Sequence, residues 1–200
     1  MFRPFAMISL LAVPTGVFAQ CPTLADMTTG ISVLFSSGDT ENFRQGESGI
    51  IIQNGTDNAE RETTWQNHMV NGIFETNFLE RTAGTWTPTG DFNLEYDFDI
   101  AAVFPLVEGM VGGGIQTLVE PDFVEPATYS YSVHASENVM IGDCEYVAFD
   151  FYQTYIMAEN GFGVTKSKYL PELGITIIYQ SKWPQDDALN REAIDLWVDG

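Results

Sequence analysis

Positive charge is scarce in this sequence. Eight Lys and Arg stand against 28 Asp and Glu, giving a formal net charge of −20. Nucleic-acid binding is disfavoured, because phosphate contacts need clustered Lys and Arg. Adsorption to an anionic membrane surface is disfavoured for the same reason. The only lysines, Lys166, Lys168 and Lys182, fall in one C-terminal stretch. Histidine is rarer still: His68 and His134 stand alone, and with two distant cysteines they do not show zinc-ligand spacing. The sequence has no G-x-S-x-G elbow, no phosphate-binding glycine loop before a helix and no D-x-D-x-D-G calcium loop. A lone histidine without a motif-placed partner is ordinarily structural. No catalytic residue, metal ligand or cofactor is therefore assigned, and an enzyme is the third-ranked reading.

Long apolar runs are also missing, so no membrane-spanning helix is expected. The run from Phe5 to Val13 is too short to span a bilayer. It follows Arg3 and precedes Val17-Phe18-Ala19. That order of positive, apolar and small residues marks 1–19 as a signal peptide, with the mature chain starting at Gln20. Gln20 is not small enough to precede a lipidated Cys21, so a lipid anchor is not expected. Export places the only two cysteines, Cys21 and Cys144, in an oxidising compartment, where an even count favours a bridge between them. The expected location is periplasmic or secreted.

What remains is strand-like. "FNLEYDFDI" at 92–100 alternates Phe92, Leu94, Tyr96, Phe98 and Ile100 with Asn93, Glu95, Asp97 and Asp99. Such alternation belongs to a strand with one face on a core and one in water. The acids could instead gather a hard cation. Alternate residues on one strand lie about 7 Å apart, however, too far for one ion to collect three carboxylates without a neighbouring strand. Further strands are expected at 30–37, 49–53, 62–70, 72–81, 113–120, 127–135, 144–157, 161–170 and 174–182. Asn54-Gly55, Asn71-Gly72 and Asn160-Gly161 read as hairpin turns, and "GMVGGG" at 109–114 as a loop or the bent start of a strand. One helix is expected in 186–200, capped by Asp186 or Asp187, with Leu189, Ala193 and Leu196 or Trp197 on one face. The whole reads as one all-β domain over 20–185. It is a curved antiparallel sheet, an incomplete barrel or a sandwich, with a short C-terminal helix. An outer-membrane barrel also alternates, but a helical end argues against it.

Three segments carry a resemblance. "FPLVEG" (Phe104 to Gly109) precedes a bent strand, "ENVMIGDCEYVAFDFY" (Glu137 to Tyr152) forms a strand, a tight turn at Gly142-Asp143 and a long strand, and "KSKYLPELGITIIYQS" (Lys166 to Ser181) closes the series. Across roughly 92–182 this layout resembles a diffuse group of exported bacterial all-β domains, mostly of unknown function. The resemblance implies the curved half-barrel of periplasmic lipoprotein carriers, and it brings no catalytic residues with it.

A binding role is the leading functional expectation. In "CEYVAFDFYQTYIM" the row Val147, Phe149, Phe151, Tyr155 is the more apolar side of the strand. Such a row forms core if the concave face is filled, or lines a ligand cavity if it is open. The leading reading is a non-catalytic exported soluble module that binds an apolar small molecule or an envelope protein partner. The alternative is a structural or envelope-assembly protein without a cavity.

Overall fold

The computed structural model describes residues 21–56, 63–82, 85–158, 161–184 and 187–200. The expected signal peptide, 1–19, lies outside them. The described chain is all-β, with thirteen strands in one antiparallel sheet that is not closed into a barrel. In chain order they are β1 (Ile31–Phe35), β2 (Thr40–Gln45), β3 (Ile50–Thr56), β4 (Thr63–Val70), β5 (Phe74–Thr82), β6 (Thr85–Tyr96) and β7 (Val111–Glu120), then β8 (Phe123–Ile141), β9 (Cys144–Met157), β10 (Gly161–Leu170), β11 (Ile175–Lys182), β12 (Leu189–Asn190) and β13 (Ala193–Val198). From β1 to β11 each strand pairs with the next, a plain meander.

The C-terminal helix is not there. In its place β12 pairs with β11 at one end of the meander, and β13 pairs with β1 at the other. The apolar spacing that suggested a helix spans only about two turns, and a helix that short has little stability of its own. The outer backbone groups of β1 need partners, and β13 supplies them. Among the described residues the helical elements are short 3-10 turns at Leu24–Thr28, Glu47–Gly49 and Ile100–Val103.

Turn chemistry explains part of the meander. Asn71 (φ 50°) and Gly72 (φ 70°) turn the chain between β4 and β5 as that dipeptide suggests, but the connection has three residues, Asn71 to Ile73, rather than the expected two. Asn54-Gly55 is not a turn; it lies inside β3. The Trp65 ring of β4 lies across Gly55, and a Cβ there would collide with it. Asn54 belongs to a polar ladder on the outer face, in which Asn54 donates to Asn42, Gln66 to Asn54, and Gln66 meets His68. The Asn160 half of the third dipeptide lies outside the described residues. "GMVGGG" is the start of β7, which takes in its last four residues, and there Gly112 passes beneath the Tyr131 ring.

Two apolar cores sit inside the curled sheet. One joins Ile31, Val33 and Phe35 of β1 to Tyr146 and Ala148 of β9 and Ile175 and Ile177 of β11. Strands far apart in the meander thus meet across the interior. Cys21 and Cys144 are bridged at its margin, with Cα atoms 5.6 Å apart. The second core is aromatic, with Phe74 of β5 at its hub. Phe74 is fully buried and meets Tyr96, Phe98, Phe104, Tyr129, Tyr131 and Phe151 at centroid distances of 5.7–6.3 Å, all near edge-on. That geometry suits the ring quadrupoles.

The stretch 92–100 keeps its alternation throughout, although the strand ends at Tyr96. Phe92, Leu94, Tyr96, Phe98 and Ile100 are half-buried, and Asn93, Glu95, Asp97 and Asp99 are exposed. Two of the acids have local duties. Asp97 Oδ1 accepts from Ile115 N at 2.7 Å, and Asp99 caps the turn at Ile100–Val103 through Ala101 N and Ala102 N.

Candidate ligand-binding site

Beyond the aromatic core the interior opens into two adjoining cavities. The first, about 160 Å³, lies among β5 to β9. Phe92, Leu94, Leu118, Ala127 and Met157 give it an apolar wall. The second, about 200 Å³, lies between β3–β5 on one side and β9–β11 on the other, and its wall is more polar, with Gln53, Asn67, Gln153, Thr165 and Thr176. Glu75, Tyr155 and Trp183 line both. Both are partly open to solvent. Tyr155 and Trp183 sit with ring centroids 5.0 Å apart, and Tyr155 lies 5.3 Å from Tyr129.

Polar groups inside the sheet are mostly paired, as buried polar groups must be. Gln153 Nε2 donates to Tyr129 Oη at 3.0 Å, Gln116 Nε2 to Tyr96 Oη at 2.7 Å, and Tyr96 Oη to the Glu75 carbonyl at 3.0 Å. A second chain starts at Arg191, which donates to Glu41. Gln53 Nε2 donates to Glu41 at 2.8 Å, and Asn67 Nδ2 reaches Gln53 Oε1 at 3.5 Å. This chain leaves Asn67 Oδ1 buried without a partner at the wall of the second cavity, and Thr176 Oγ1 is left in the same condition.

The Glu75 carboxyl is the most unusual group here. Among the described residues it meets no donor and no cation, and burial alone pushes its pKa from 4.5 up to about 7. Burial also holds the Tyr129 and Tyr155 hydroxyls well above their ordinary range.

The residues picked out in β9 do not act as one row. Phe151 is fully buried, stacked on Tyr131 at 5.7 Å, and belongs to the aromatic core. Phe149 is half-buried against that core. Tyr155 lines both cavities. Val147 is 37% exposed on the outer side. The inward side of β9 passes from Tyr146 and Ala148 to Phe151 and Gln153, opposite an irregularity in β8 between Val133 and Ser136. Strict alternation along the strand could not anticipate that change. Glu75, Trp183 and Gln116 were not singled out by the sequence. Glu75 sits in "FETNFLER", where an acid between strand positions reads as solvent-facing.

Neither histidine lines these two cavities. His68 Nε2 meets Gln66 Oε1 at 3.1 Å, and burial, then Arg44, lowers its pKa. His134 meets Ser132 Oγ at 2.9 Å over the Tyr152 ring. No group of three or more metal-ligating side chains occurs among the described residues. Among them no helix is long and apolar enough to cross a membrane.

No protein-family model matches the chain. No curated protein matches it either. Among solved structures, the hypothetical lipoprotein YmcC from Escherichia coli is similar, with 11% identity and a TM-score of 0.47, covering 88% of this chain and 86% of that one. At that TM-score the likeness carries no argument for fold or function.

Proposed function

We propose that this protein is a non-catalytic, exported module that holds an apolar small molecule inside its curled sheet. The observation that carries the reading is the pair of adjoining, partly open cavities sharing Tyr155, Trp183 and Glu75. Concave, mostly apolar sites with a few placed polar groups are the usual form of a ligand pocket. Export is supported by the 1–19 segment and by the Cys21–Cys144 bridge, since disulfides persist in oxidising compartments. Tyr155 is the part of the row Val147, Phe149, Phe151, Tyr155 that serves this site; Phe149 and Phe151 support it from the core.

The test is a titration with N-phenyl-1-naphthylamine, a neutral apolar fluorophore. Saturable binding to the native protein that disappears as denaturant unfolds it supports the reading. Binding that appears only as denaturant loosens the protein overturns it.

A partner-binding role has one observation in its favour. Ile115, Thr128, Ile156 and Phe162 are paired in a row across β7 to β10, and Ile115, Ile156 and Phe162 expose 38, 53 and 55% of their surface on the outer face. Exposed apolar side chains gathered on a sheet face, here broken only by Thr128, suit a protein contact.

A further inference from the structure

We infer that the paired cavities select a primary ammonium on an apolar body, with Glu75 as its counter-charge. This rests on the reading of the cavities as a ligand site and goes beyond it by naming the ligand class.

Three features of the walls converge. The first is Glu75, a carboxyl at the junction of both cavities with no donor or cation beside it among the described residues. An ionised carboxylate out of water is unfavourable unless a cation joins it. The second is the set of rings around it: Phe92 in the first cavity, and Tyr155 and Trp183 in both. Ring faces attract cations and repel anions through the quadrupole. The third is Asn67 Oδ1. Glu41, an acceptor pinned by Arg191, turns the Gln53 amide nitrogen toward itself. Gln53 Oε1 then faces the Asn67 amide nitrogen, which leaves the Asn67 oxygen unpaired at the second cavity's wall, as the Thr176 hydroxyl is. The walls thus offer chiefly acceptors and π faces, with the Thr176 hydroxyl able to donate or accept. A ligand with N–H donors and positive charge complements both, whereas a carboxylate or phosphate complements neither.

The charged and titratable groups around Glu75 act in one direction. Tyr96 on β6, Tyr129 on β8 and Tyr155 on β9 are neutral throughout the ordinary pH range. Glu125 on β8 lines the first cavity and is acidic. On β4, Met69 is paired with Glu75, and His68 points to the outer ladder. Affinity for an ammonium therefore rises as Glu75 ionises.

The experiment compares three probes of one shape on the disulfide-bonded protein by calorimetry: 2-phenylethylammonium, 2-phenylethanol and 3-phenylpropanoate. At pH 8 the expected order is ammonium at least tenfold tighter than alcohol, with the carboxylate weakest. At pH 5.5 the ammonium advantage falls below about threefold. Glu75→Gln removes the advantage of the ammonium over the alcohol at pH 8. An alcohol that binds as well as the ammonium at pH 8 overturns the ammonium inference while leaving the cavity reading intact. Failure of all three probes, together with N-phenyl-1-naphthylamine, overturns both. The pH comparison on the unaltered protein decides the matter even if Glu75→Gln fails to fold.

Discussion

Arg191, between β12 and β13, forms a buried ion pair with Glu41 of β2, their side chains 8% and 3% exposed. The two lie 150 residues apart in the chain. Arg191 also donates through Nε to the Ile178 carbonyl at 2.8 Å and through its backbone N to that of Tyr179 at 2.9 Å. Its guanidinium stacks 3.6 Å from the Phe35 ring centre. One side chain therefore ties the C-terminal segment to β1, β2 and β11, where the ends of the meander come together. Burial pushes the Glu41 carboxyl up and Arg191 pulls it back.

Breaking that pair from one side leaves a buried charge without its partner. Arg191→Met is expected to cost about 3–5 kcal/mol, and replacing both, Arg191→Met with Glu41→Leu, is expected to cost less than the single change. Denaturant melts of the two variants check this. A double variant less stable than the single one would mean that the pair contributes more than mutual compensation.

Glu75 makes stability depend on pH. Its carboxyl titrates near 7 in the folded protein, against an ordinary value of 4.5. Between those values the unfolded chain has lost its proton and the folded chain keeps it, so the folded state binds more protons. Stability from this group therefore falls as pH rises from 4.5 to about 7, then levels off. Glu75→Gln removes the fall. At pH 8 it is expected to be more stable than the parent by on the order of 1–3 kcal/mol, reduced from the full linkage because the residue is half-buried. Melts at pH 4.5 and 8 give the difference, and a gain of equal size at both would contradict the assignment.

The aromatic hub and the acidic column of 92–100 should respond very differently. Phe74→Ala is expected to cost about 3–5 kcal/mol, as for large aromatic truncations. Asp97→Ala strands the Ile115 N–H and is expected to cost about 1 kcal/mol. Glu95→Ala, exposed, should stay within about 0.5 kcal/mol. Equal losses for Asp97 and Glu95 in a urea series would remove the role given to Asp97.

The bridge joins positions 123 residues apart. Its reduction is expected to lower stability by about 2–5 kcal/mol. Alkylation of the protein before and after reduction, followed by a thermal melt, checks both the bond and its effect. Two thiols that react without reduction would contradict it.

The strands with clean patterns were readable from sequence. β9 and β10 lie where turn residues and β-branched or aromatic runs place them, and Asn71-Gly72 turns because both residues accept positive φ. β2 was not readable. In "TENFRQ" only Phe43 is apolar, and the other inward residue is Glu41, whose burial depends on an arginine 150 residues away. Asn54-Gly55 misled for a related reason: its glycine makes room for Trp65, a cross-strand fact invisible within the segment. The C-terminal segment has weak local preference, and pairing with β1 decided it. The candidate site was legible only through Tyr155. Glu75 and Trp183 reach it from strands and loops distant in sequence, and Glu75 looks ordinary among 28 acids.

The central claim is that the cavities hold an apolar molecule, and filling one of them is the most direct test. Ala127 sits on the wall of the first cavity and is 8% exposed. In Ala127→Phe the added ring takes up the free space. The measurement is the dissociation constant of N-phenyl-1-naphthylamine for the parent and the variant, on samples with matching circular dichroism. The expected result is at least a tenfold loss of affinity in Ala127→Phe. An unchanged dissociation constant in a folded variant would contradict the claim.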